Sequence, residues 1–77
     1  MESTALKLGK YRHYNGNLYL VTALARHSET LEEMVVYQGL YESVEFGRNP
    51  VWTRPLKSFL EPVEVDGRIV PRFQFLE

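Results

Sequence analysis

The sequence predicts a mainly β domain: a small SH3-like barrel of five or six short antiparallel strands with one short helical or 3₁₀ turn. Short runs rich in Val, Tyr, Phe and Thr recur along the chain. Two hairpin dipeptides, Asn15-Gly16 and Asp66-Gly67, punctuate them. No apolar pattern of helical period persists long enough for an amphipathic helix. Closing such a sheet removes the strand edges that invite aggregation. An open curled sheet is the alternative.

The elements follow in order. Residues 1–8 read as a flexible N-terminal arm and residues 9–77 as a single domain. Tyr11 to Tyr14 form a first strand. Asn15-Gly16 tolerates the positive φ of a type I′ turn. Leu18 to Ala25 return as a second strand, with apolar residues on both faces, so it is covered on two sides or bent. Thr30 with Glu33 fits a capping box, which allows a helical turn from Leu31. Met34 to Tyr41 form a third strand, and Gly39 within it marks a bulge or a close approach. Glu42 to Pro50 is a polar connector with a mobile tip. Val51 to Arg54 are a fourth strand, ended by Pro55. Pro favours a first helical position, so Leu56 to Leu60 make one helical or 3₁₀ turn. Val63 to Val65 and Ile69-Val70 flank the second hairpin, and Phe73 and Phe75 share one face of a last strand.

Composition fits one small folded unit. The chain has 77 residues, 44% of them hydrophobic, with five Tyr, four Phe and one Trp. Each aromatic buries roughly 150–250 Å², so a few of them stand in for a larger aliphatic core. Net charge is −1, which asks for neither a nucleic acid nor an anionic membrane. There are no cysteines, which removes disulfides, thiolate metal sites and Cys nucleophiles and points to the cytoplasm. The first eight residues do not read as a signal peptide. No stretch nears the roughly 20 apolar residues of a membrane span.

Several segments together carry a family likeness: Gly9-Lys10-Tyr11-Arg12-His13-Tyr14-Asn15-Gly16, Ala25-Arg26-His27-Ser28-Glu29-Thr30, Val35-Val36-Tyr37 and Trp52-Thr53-Arg54-Pro55. In this order they resemble the bacterial domain-of-unknown-function family 1653, over nearly the whole chain from Gly9 to Phe75. The resemblance implies an SH3-type barrel, free-standing or joined to other domains. It implies no activity, because the family has none assigned.

Chemistry-bearing residues fall into three groups. His13 and His27, with Ser28, Glu29 and Thr30, contain the letters of a zinc site or a Ser-His-Glu hydrolase. Neither a metal-ligand spacing nor a GxSxG elbow is present, so no metal or other cofactor is expected. Ser28 to Thr30 read more simply as a turn that bonds its own backbone, supported by His27. Trp52 and Arg54 share a strand face. If Val51 points inward, they form an exposed aromatic and cationic surface of the kind found at binding hot spots. If Trp52 points inward, Arg54 needs a partner, and Glu29 is a candidate. Tyr37 and Tyr41 share a face and suggest an aromatic groove like those that hold Pro-rich or modified segments.

The favoured function is a small non-catalytic binding or accessory module. Its candidate ligand-binding residues are His27, Ser28, Glu29, Thr30, Tyr37, Tyr41, Trp52 and Arg54, with a protein or peptide as partner. One alternative is a small hydrolase with His27 or His13 as base. The other is a nucleic-acid-binding barrel, which the net charge does not support. A ligand pocket of about 300–1,000 Å³ is a large excavation for so small a core.

Overall fold

The structure is a computed structural model that describes residues 6–77. Most of the expected arm, residues 1–8, lies outside the described residues. Its near end touches the body: Leu6 packs against the core, and the Tyr11 hydroxyl donates to the Lys7 carbonyl at 2.7 Å.

The chain is mainly β, as expected. The main sheet is built from β1 (Gly9–His13), β2 (Leu18–Arg26), β3 (Glu33–Gly39), β6 (Val51–Pro55) and β9 (Phe73–Phe75). Its strand order is β6-β3-β2-β1-β9, antiparallel throughout. Two small ladders stand outside it: β4 (Glu42–Ser43) with β5 (Gly47–Arg48), and β7 (Pro62–Val65) with β8 (Arg68–Pro71). The expected helical turn is α1 (Leu56–Leu60), which opens after Pro55.

The hydrogen-bonded ladder stays open at β6 and β9, so the open curled sheet describes its bonding. Side chains complete the closure. Five flat strands would hold their outer members about 19 Å apart. Instead the Arg54 guanidinium, on β6, lies 5.6 Å from the centre of the Phe73 ring on β9. Only a strongly curled sheet brings those two edges together. Phe59 of α1 plugs the concave side, 2% exposed and stacked on Phe73 with ring centres 4.1 Å apart. Tyr11, Tyr19 and Tyr37 surround this pair edge-on. Aromatics thus make up most of the core, with Val21 and Val35.

Two local expectations need correction. No helix starts at Leu31: Glu33 already belongs to β3, Leu31 has φ 65°, and the Thr30 hydroxyl accepts the Glu32 N–H at 3.2 Å. Here the capping residues close a turn. The first hairpin is not type I′. Asn15 has no positive φ, and the loop closes by a Gly16 N–H to His13 carbonyl bond of 2.8 Å. Asp66-Gly67 does have both φ values positive, 52° and 78°, as a two-residue type I′ turn requires.

The imperfect alternation of β2 also has a cause. Val21 pairs with Tyr37 but Ala23 with Val36, so Thr22 is an extra residue. This bulge moves Leu24, rather than Ala23, opposite Val35. Gly39 has the other device considered for it, a close approach. A Cβ there would stand 2.6 Å from the Tyr41 ring.

Candidate functional site

Four of the expected site residues gather at one end of the concave face. Tyr37 lies opposite Trp52, and Val35 opposite Arg54. Directly paired residues share a face. Tyr37 and Val35 are buried, so Trp52 and Arg54 point inward, and Val51 is exposed. The inward case considered from the sequence is therefore the one the chain adopts.

Trp52 is half-buried. Its indole N–H donates to the Tyr41 hydroxyl at 3.2 Å, and that hydroxyl lies 3.4 Å from the Tyr19 hydroxyl. Phe46, from the loop between β4 and β5, covers the indole edge-on with ring centres 5.3 Å apart. Tyr41 reaches this position because Gly39 leaves room beneath its ring. Burial, the Tyr41 hydrogen bond and repulsion from a Tyr41 phenolate push the Tyr19 hydroxyl pKa up to about 12.

Arg54 does not meet Glu29. Its Nε donates to the Tyr37 hydroxyl at 3.3 Å and its Nη1 to the Ser58 hydroxyl at 3.2 Å. The ion pairs among the described residues are Lys10–Glu77 and Arg72–Glu61, so Arg54 sits among neutral acceptors and the Phe73 ring. His13 joins the same cluster, a placement its sequence position did not reveal. Its ring lies 4.7 Å from Phe73 and 4.5 Å from Tyr14. Burial, and then the charges of Arg54 and Arg72, hold its pKa below the usual histidine value.

The His27–Thr30 turn stands apart from this cluster. His27 is six residues beyond Val21, the partner of Tyr37, which places it about 20 Å along the strand. The His27 Nδ1 accepts the N–H groups of Glu29 at 3.1 Å and Thr30 at 3.3 Å. Thus His27, Glu29 and Thr30 organise a turn, as the simpler sequence reading held, and Ser28 lies exposed within it. The two histidines flank opposite ends of β2. Among the described residues no three His, Asp or Glu side chains cluster as metal ligands would.

A second feature escaped the sequence entirely. A groove of about 560 Å³ runs between the β7–β8 hairpin and the β1–β9 end of the sheet. Arg12, His13, Tyr14, Asp66, Arg68 and Gln74 contribute its polar lining. The volume is that of a small-ligand site. It lies outside the core, which is how so small a domain accommodates it. Its walls come from segments more than fifty positions apart, and no local pattern links them.

Comparison with known proteins agrees with the likeness seen in the residues. A family model described as "Protein of unknown function (DUF1653)" matches residues 9–75. A crystal structure of a DUF1653 protein from Bordetella bronchiseptica is similar at 39% identity, with a TM-score of 0.83. The match covers 92% of this chain and 87% of that one. No curated protein matches the chain. With a family match across almost all of the folded segment, and a related structure of the same curled sheet, the chain belongs to the DUF1653 family.

Proposed function

We propose that the domain is a non-catalytic binding module that takes a protein or peptide segment at the mouth of the aromatic basin formed by Tyr37, Tyr41, Trp52 and Arg54. The observation that carries this reading is Arg54. Among the described residues this half-buried guanidinium is bound by two hydroxyls and an aromatic ring, with no carboxylate in ion-pair range. Aromatic and Arg side chains in such settings are the commonest anchors of binding surfaces. The His27–Thr30 turn is no part of that face, because its polar groups serve its own backbone.

Binding is favoured over hydrolysis because each histidine already accepts a backbone N–H on Nδ1, His13 from Asn15 and His27 from Glu29. A nucleic-acid role has no comparable support, given a balanced charge. The lack of cysteine fits a bacterial cytoplasmic setting. The groove beside Arg12 and Arg68 supports a second reading, in which the ligand sits there, since its volume suits one.

Amide and indole NMR spectra recorded during addition of pooled peptides decide between the two. Shifts centred on the Trp52 indole and the Tyr37 and Arg54 signals are expected. Shifts centred on Arg12, Arg68 and Gln74, with Trp52 silent, would move the binding face to the groove.

A further inference from the structure

We infer that the basin seats one anionic group, a carboxylate or a phosphate, between Arg54 and Arg72. The inference rests on the basin being the binding face and names the chemistry of what it holds.

The two guanidiniums arrive from opposite edges of the sheet. Arg54 lies on β6, and Arg72 directly precedes β9. Sheet curl brings both to α1. Arg54 reaches Ser58 at 3.2 Å, and Arg72 Nη2 stands 3.6 Å from the Glu61 carboxylate. Ser58 lies on α1 and Glu61 caps its C-terminus, its N–H bonded to the Ser58 carbonyl, so both arginines reach the same end of this short helix.

Charge around this point is one-sided. Arg54, Arg72 and Lys57 are positive, and His13 becomes so on protonation. The counter-charge is Glu61, largely exposed and at the long end of ion-pair range. Arg54 uses two of its five N–H donors, both on neutral hydroxyls. Arg72 Nε is buried and has no hydrogen-bond partner among the described residues. A buried donor left unpaired is costly, and a cation among neutral acceptors keeps its charge uncompensated. A carboxylate or phosphate answers both needs, since its oxygens match the planar guanidinium fork. Burial lowers the His13 pKa most, and the Arg54 and Arg72 charges add to it in the same direction. The groups facing His13 are the Tyr14, Tyr19 and Phe73 rings and the charges of Arg54 and Arg72.

The test is a proton NMR titration of His13 in the intact domain. It is run in chloride, in acetate and in phosphate at matched ionic strength, and again with an acidic and a neutral peptide. Bound anion offsets the Arg54 and Arg72 charges, so acetate or phosphate should raise the His13 midpoint by about half a unit or more over chloride. Arg72→Gln should weaken that response about tenfold. Arg72 makes none of the Tyr37, Ser58 or Phe73 contacts of Arg54, so this variant leaves those in place. Acetate and the acidic peptide acting together identify a carboxylate, whereas phosphate acting alone identifies a phosphoryl group. If neither anion moves His13 while the neutral peptide still shifts Trp52, the anion site falls and the binding face stands. His13 also borders the groove, so if Arg12 and Arg68 shift while Trp52 stays silent, and His13 responds equally in Arg72→Gln, the anion sits in the groove and both fall.

Discussion

Replacing Gly39 with alanine tests the packing of the basin with a sign that backbone preference alone gets wrong. Gly39 lies in β3 without a positive φ. In a strand interior, alanine is ordinarily better than glycine by roughly 0.5–1 kcal/mol. Here the added methyl would meet Tyr41 Cε2 at 2.6 Å and Cζ at 2.7 Å. Carbon atoms rest at about 3.5–4.0 Å, so the ring must retreat by about 1 Å. That retreat breaks the Trp52–Tyr41 hydrogen bond and the Tyr19–Tyr41 contact. Each is worth about 0.5–1.5 kcal/mol. The edge-on packing of Tyr41 on Tyr19 adds about 0.5–1.5 kcal/mol. After the backbone gain is subtracted, Gly39→Ala should destabilise by about 1–3 kcal/mol. Urea unfolding followed by Trp52 fluorescence measures this, and the native emission should shift as the indole loses its partner. Tyr41→Ala should remove most of the penalty of Gly39→Ala, making the double variant strongly non-additive. A stabilised Gly39→Ala, or strict additivity with Tyr41→Ala, would refute the account.

Three further outcomes are expected. Phe59→Ala removes the plug stacked on Phe73 and should cost about 3–5 kcal/mol, much of what a domain this size has, so circular dichroism should show loss of cooperative unfolding. Gly67→Ala meets no atom within 4 Å, so its effect is the backbone cost of φ 78°, about 1–2 kcal/mol. Hydrogen exchange in β7 and β8 should then rise roughly 5–30-fold. Tyr19 binds its proton more tightly when folded than when unfolded. Its contribution is therefore complete below pH 10 and lost as pH climbs from 10 towards about 12. Denaturant midpoints should fall across that window, and less steeply in Tyr19→Phe.

Local chemistry is what the chain made legible. Type I′ geometry at Asp66-Gly67, the helical turn after Pro55 and the shared face of Trp52 with Arg54 all depend on residues within a few positions of one another. The local signals that misled had two outcomes. Thr30 and Glu33 fit a capping box, yet three backbone N–H groups there are satisfied by His27 and Thr30 side chains instead. Asn15-Gly16 fits a tight turn, but the ladder starts one residue too early for it, at Arg12 and Leu18. The candidate site was half legible. Tyr37, Tyr41, Trp52 and Arg54 converge, because strand pairing follows from alternation. The arrival of His13 and Arg72 depends on β9 and on curl, and neither is written in any short segment. Grouping the His27 turn with them required a distance along β2 that a list of residue types does not contain.

The place of β1 in the sheet has a kinetic consequence. β6, β3, β2 and β1 form a meander of near neighbours, but β1 also pairs with β9, roughly sixty residues later in the chain. β9 brings Phe73, whose ring touches Tyr19, Tyr37 and Phe59 at once. A growing chain can therefore assemble four strands while its core still lacks a central piece. Until β9 emerges, the outer edge of β1 and the Phe59 ring face solvent together. β9 thus acts as the closing clasp of the domain, and the interval before it arrives is when a nascent chain is most exposed to aggregation or to a chaperone.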